Sequence, residues 1–262
     1  MTRRLRSIAC LTAAAAAAAC IDVTVNTAEL GSVEVVNRGA PAVAAGDTLR
    51  DPAGVAVPLQ VIVYDAGGNV ITDRHVQFLH SDTVATVTAE GMVIARAGVT
   101  GTARVYAVVD SQLQSVVQQI EVVPRPESLA VSGNVVRDTI DYRSLPADPT
   151  DTSAALTVRL ASAGTVNVAR WIVTFALQRT ADGSAITDTT IFALVTDQGR
   201  VSTVDTTDAN GLASRRVRIR AIPGTTLVDS VTVVANALYR GQPVTGSPKQ
   251  FVVLARPRPA TP

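Results

Sequence analysis

Trp171-Ile172-Val173-Thr174-Phe175-Ala176-Leu177-Gln178 carries the clearest structural signal in the chain. Trp171, Val173, Phe175 and Leu177 alternate with Thr174, Ala176 and Gln178, a period of two that a helix turning every 3.6 residues cannot gather on one side. An extended strand can, with large apolar side chains on one face and small or polar ones on the other. Leu156-Thr157-Val158-Arg159-Leu160 repeats the pattern, and so do Val217, Ile219 and Ala221 against Arg216, Arg218 and Arg220. Three such segments, bounded by glycine or proline, predict sheets with one buried and one solvated face.

The same signature runs through the first half of the chain. Strands are predicted at 33–36, 59–64, 76–79, 85–87, 92–94, 104–109 and 116–123, with Asp65-Ala66-Gly67-Gly68-Asn69 as a glycine-rich turn. Seven short strands at this spacing point to an immunoglobulin-like sandwich. Pro124-Arg125-Pro126 then removes two backbone donors and stiffens the chain, which marks a domain boundary. The expected architecture is all-β: two tandem immunoglobulin-like β-sandwich domains, residues 32–123 and 127–254, joined by a proline-rich linker at 124–126. An acidic, threonine-rich insert is expected at 137–153, and 255–262 reads as a proline-rich tail.

The N-terminus reads as an export signal. Arg3, Arg4 and Arg6 precede an apolar run that ends in seven alanines, Ala13 to Ala19, too short to span a bilayer comfortably as a helix. Ala17-Ala18-Ala19-Cys20 resembles the lipobox of bacterial lipoproteins, which implies a signal peptide over 1–19, acylation of Cys20 and a tether over 20–31. The membrane then becomes a partner through an N-terminal lipid. Ordinary signal peptidase also accepts small residues before its cut. A twin-arginine route fits less well, since Arg6 and Ser7 stand where apolar residues normally follow the pair. The location expected is the bacterial cell envelope, at the outer membrane, with either the periplasmic or the surface face open.

Composition narrows the function. Without Arg3, Arg4 and Arg6, 20 basic residues face 22 acidic ones, a net of −2 that offers no field for nucleic acid. Cys10 leaves with the signal and Cys20 carries lipid, so no disulfide braces either sandwich and each stands on its apolar core.

No catalytic constellation emerges, and the reading is of a non-enzyme with no cofactor. His75 and His80 are the only histidines and, five apart, point to opposite faces of a strand, which argues against zinc. Ser81 lies in no nucleophile elbow, and no glycine-rich phosphate loop is present. Asp205, Asp208 and Asn210 beside Gly211 offer oxygen atoms to calcium, as do Asp138, Asp141, Asp148 and Asp151. Neither set has the spacing of an EF-hand loop, and Asp or Asn in a turn commonly bonds its own backbone. No metal site is expected. Arg215, Arg216, Arg218 and Arg220 are the one local charge feature, and alternation puts Arg216, Arg218 and Arg220 on a single outer face. That stripe is the candidate binding face for an acidic partner, set against a solvated face that discourages edge pairing. Trp171 reads as a wedge between sheets, and nine aromatic residues leave few for a sugar platform.

Two stretches resemble known families. Phe78-Leu79-His80-Ser81-Asp82-Thr83-Val84-Ala85-Thr86-Val87, Glu90-Gly91-Met92-Val93 and Gly101-Thr102-Ala103 are similar to group 2 bacterial immunoglobulin-like (BIG2) domains over most of 32–123, with Phe78 where that family often has tryptophan. Thr207-Asp208-Ala209-Asn210-Gly211-Leu212-Ala213 resembles the turn of group 1 (BIG1) domains of invasin- and intimin-type adhesins, chiefly over the last half of 127–254. These resemblances imply a spacer or display module whose partner is a protein or surface ligand. A periplasmic scaffold or assembly subunit is the alternative. A secreted carbohydrate-binding or hydrolytic accessory protein is the third reading.

Overall fold

The computed structural model describes residues 29–142, 151–163, 165–220 and 229–258, and every regular element among them is a strand. The first ten are β1 (Leu30–Val36), β2 (Ala42–Ala44), β3 (Gln60–Asp65), β4 (Val70–Ile71), β5 (Val76–His80), β6 (Ala85–Val87), β7 (Val93–Ala95), β8 (Gly101–Val109), β9 (Leu113–Gln114) and β10 (Gln118–Val123). They form one sheet in the order β1-β3-β4, a second in the order β2-β10-β8-β5 with β9 beside β8, and a β6-β7 hairpin. Leu49, Leu59, Val93, Val105 and Ile120 fill the space between them.

The second body uses β11 (Ser128–Val131), β12 (Arg137–Tyr142), β13 (Leu156–Ser162), β14 (Val166–Asn167), β15 (Ile172–Arg179), β16 (Phe192–Val195), β17 (Val204–Thr206), β18 (Leu212–Ile219), β19 (Asp229–Asn236), β20 (Leu238–Tyr239), β21 (Gln242–Pro243) and β22 (Lys249–Pro257). One sheet runs β11-β13-β18-β16, the facing sheet β12-β22-β19-β15-β17, and β20-β21 is a separate hairpin. Val173, Phe175 and Leu177 of β15 point into the core, as do Leu156, Val158 and Leu160 of β13 and Val217 and Ile219 of β18. Period two is thus the burial pattern over 156–160, 173–177 and 213–219, and Ala221 lies outside the described residues.

Both bodies close the same way. A short early strand pairs in parallel with the last strand: β2 with β10 through Val43↔Val122, and β12 with β22 through Ile140↔Ala255. This pairing corrects two expectations. Residues 137–142 are not part of an insert but strand β12, whose Ile140 and Tyr142 are buried while Arg137, Thr139 and Asp141 take the opposite face. The last strand also runs on to Pro257, so 255–257 belong to the sheet instead of a tail.

The turns explain the two family-like stretches. Asp208 accepts backbone hydrogen bonds from Asn210 and Leu212 at 2.8 and 2.9 Å, and Asp65 does the same for Gly67 and Asn69 in the first body. A short carboxylate that bonds the backbone two and four residues on replaces the ladder where the chain reverses. Gly211 sits at φ 72°, and a Cβ there would lie 2.5 Å from the Leu160 carbonyl oxygen. Thr207, fully buried, donates its hydroxyl to the Val168 carbonyl at 2.7 Å and accepts from the Trp171 amide at 2.9 Å. In the first body Asp82 accepts from the amides of Arg104 and Val84, tying the end of β5 to β8.

Thr207→Val keeps the shape of this side chain and removes both hydrogen bonds. The expected cost is about 1–3 kcal/mol, because two buried backbone groups lose a partner. Urea denaturation followed by Trp171 fluorescence should show an earlier midpoint; an unchanged midpoint would mean that other contacts hold the loop.

Candidate functional site

The arginine stripe lies on β18, whose inward residues are Ala213, Arg215, Val217 and Ile219. Arg215 is buried in the sandwich. Its guanidinium lies 3.0 Å from Asp205 and 5.8 Å above the Phe175 ring, and it donates to the carbonyls of Ser202 and Val204. It is a packed structural cation, paired and hydrogen-bonded as a buried charge must be. Arg216, Arg218 and Arg220 share the opposite face. Arg216 donates to Asp197 at 2.8 Å and to the Ser153 carbonyl at 3.1 Å, and Arg218 reaches the Gly199 carbonyl at 3.3 Å. Two of the three are therefore drawn onto neighbouring loops, and Arg220 is the one that stands exposed.

The oxygen-rich residues are spent locally. Asp205 accepts from the Ser214 amide and pairs with Arg215, while Asp208 caps the Asn210 turn. Asp138 accepts from the amides of Thr139 and Ala154, and Asp141 from Arg256 at 2.6 Å. The Asp151 carbonyl accepts from the Ile219 amide, and its side chain is buried. Among the described residues no group of three or more His, Cys, Asp or Glu side chains converges on a metal-sized point. His80 Nδ1 bonds the Asp82 carbonyl oxygen at 2.8 Å, and the His75 amide bonds Asp110. Cys20 and Asp148 lie outside the described residues.

Trp171 is not a wedge at the centre of the sandwich. It is half-buried at the end of β15, where its ring tilts at 51° to that of Tyr239 and Nε1 donates to the Leu238 carbonyl at 3.0 Å. This end of the second body abuts the first, and here the structure assembles a cluster that sequence reading missed.

Asp47, from the first body, has a side chain only 4% exposed. Arg50 brings two nitrogens to its two oxygens at 3.1 and 3.0 Å, and Arg240, from the β20-β21 hairpin, brings two more at 2.9 and 3.0 Å. The Thr48 amide adds a fifth hydrogen bond at 2.8 Å. One carboxylate thus receives two forked guanidinium pairs, the strongest geometry such groups have. Burial works against its charge, yet Arg240, Arg50, Thr48 and Tyr239 together hold its pKa well below the usual carboxylate range. Tyr239 is shifted the other way, its hydroxyl held protonated by burial and by the Asp47 charge. The crevice between the bodies is lined by Ala42, Val43, Trp171, Leu238 and these charged groups, with room for about 40 Å³. That is space for roughly one water molecule.

No protein-family model and no curated protein matches the chain. Among solved structures, the adhesin InvE of Yersinia pseudotuberculosis is 20% identical, with 87% of this chain and 60% of that one covered at a TM-score of 0.36. The D0-D1 domain of intimin is 15% identical over 87% of this chain and 98% of that one, TM-score 0.26. Domains 4 and 5 of the S-layer protein SbsC are 14% identical over 87% and 100%, TM-score 0.32. The chain spans 60% of the length of the InvE structure. Its own strand pairing carries the fold: the protein is all-β, two immunoglobulin-like sandwiches in tandem.

Proposed function

We propose that this protein is a non-enzymatic spacer or display module of the bacterial cell envelope, held at the outer membrane by lipid on Cys20. Its two sandwiches would be of BIG2-like and BIG1-like type. The observation that carries the reading is the employment of its polar residues. The side chains that a sequence scan singles out, Asp82, Thr207, Asp208 and Arg215, close turns or sit paired in the core. A fold whose conspicuous polar groups are committed to its own backbone serves best as a body that holds something else in place. Recognition would then fall to the outer faces and inter-strand loops, and Arg220, with Arg216 and Arg218 beside it, is the face proposed for an acidic partner.

Cys20→Ser should abolish incorporation of radiolabelled palmitate and release the protein from the membrane pellet; lipid incorporation by the variant would contradict the anchor. Protease added to intact cells, with a periplasmic protein as lysis control, should digest the domains if they are displayed. Protection would favour the scaffold reading and direct the search to periplasmic partners.

Replacing Arg216, Arg218 and Arg220 together with serine should lower stability by about 1–2 kcal/mol without unfolding the domain, since Arg216 and Arg218 lose their hydrogen bonds to Asp197 and to the Ser153 and Gly199 carbonyls. Capture of acidic surface ligands should fall; unchanged capture would remove the stripe from consideration. Calcium titrated calorimetrically into chelator-treated protein should give no binding heat, because Asp205 and Asp208 already hold backbone amides and Arg215. A saturable heat lost in Asp208→Ala would overturn that assignment.

A further inference from the structure

Arg240 occupies the left-handed region at φ 52°, followed by Gly241 at φ 75°. Two consecutive positive φ angles are what a tight β-hairpin turn of the I′ type requires, and Asn-Gly is its usual occupant. A long arginine at the first of these positions costs about 1–2 kcal/mol of backbone strain. Such strain persists where the surroundings over-determine it, and an outlier of this kind is a pointer to function. The surroundings here are a carboxylate 193 residues away in the chain.

We propose that Asp47 and the Arg240 hairpin form a lock that fixes the angle between the two sandwiches, making them one rigid unit. Each part of the lock is fastened to its own body. Arg50, three residues on from Asp47, also donates to the Gly54 carbonyl at 2.9 Å, which pins the loop that carries both. The hairpin is held to the second body by the Trp171 indole on the Leu238 carbonyl, and its base, closed by the Val244 amide on the Ala237 carbonyl, is buried in that body's core. Arg125 of the linker lies 4.9 Å over the Tyr239 ring, and Arg240 lies 5.3 Å from the same ring. The backbones themselves touch. Gly54, at φ 90°, packs so closely on Arg240 and Gly241 that a Cβ there would collide with their backbone atoms. The apolar side of the seam is continuous too, since Ala42 and Val123 of the first body are buried within the hydrophobic cluster of the second.

The chemistry gives this seam a preferred geometry. A flexible linker would let each body sample many angles, at no cost to either core. Opening this joint instead strips two of the four guanidinium hydrogen bonds from a desolvated carboxylate. Removing one partner of a buried charged pair is expensive, and the forked contact is directional as well as strong. The lock stands whether or not the chain is lipid-anchored. If the spacer reading holds, it means that whatever the module carries is presented at one orientation.

The test uses the full exported chain with Cys20→Ser, unfolded in urea and followed by two probes. Amide hydrogen exchange of β13, β15 and β18 reports the second body, and that of β3, β8 and β10 reports the first. In wild type the two transitions should coincide and small-angle scattering should fit one rigid shape. Arg240→Ala, at a residue half exposed and outside both cores, should separate them, with exchange in the first body accelerated about tenfold or more, as expected for loss of a directional charged contact. Arg240→Lys, which keeps the charge without the fork, should fall between. Separate transitions in wild type, or coincident transitions and unchanged scattering in Arg240→Ala, would overturn the proposal.

Discussion

A carboxylate removed from water must be matched by donors, and at Asp47 those donors come from both halves of the chain. Neither Arg50 from its own body nor the Thr48 amide completes the shell; Arg240 from the other body does. The seam around it inherits that requirement. The hairpin accepts a left-handed arginine, Gly54 has no side chain where the backbones meet, and two guanidinium groups lie over the Tyr239 ring. Buried ion pairs are a modest source of stability when compared with well-packed apolar residues, but they discriminate sharply between one geometry and its alternatives. That is the property a joint needs.

Within each sandwich a different constraint governs. With no disulfide expected to staple the sheets, the apolar faces carry stability, so a polar side chain at an inward position must be matched there by partners. Arg215 shows how strict this is. It stands at an inward position of β18, and the structure accommodates it only by supplying Asp205, two carbonyl groups and the Phe175 ring. The paired roles of Asp65 and Asp208, each bonding the amides two and four residues on, show one solution to chain reversal used in both bodies.

What could be read from the sequence follows from the range of each interaction. β13, β15 and β18 were legible because one face is wet and the other dry, which writes period two into the residues. β16, Phe192–Val195, is buried along its whole length and so shows no alternation to read. β12 was hidden by its polar residues: Arg137, Asp138 and Asp141 gave it the look of an acidic insertion, although Ile140 and Tyr142 carry the strand. The turn motif at Thr207-Asp208 was visible as a resemblance, and the structure supplies its reason in hydrogen bonds. The arginine stripe was legible as a face, but the loops that capture Arg216 and Arg218 were not. The joint was illegible altogether, since nothing local at Asp47 announces a partner near the other end of the chain. The one sequence trace was Arg240-Gly241, an unusual pair for a tight hairpin.

The molecule is therefore a pair of sandwiches whose polar chemistry is turned inward, toward its own turns and its own seam. Residual dipolar couplings of a chain carrying both bodies, in weakly aligning medium, measure their relative orientation directly. One alignment tensor should describe the amides of both bodies. Two tensors that differ in magnitude or direction would mean that the bodies move independently, and would contradict a fixed joint.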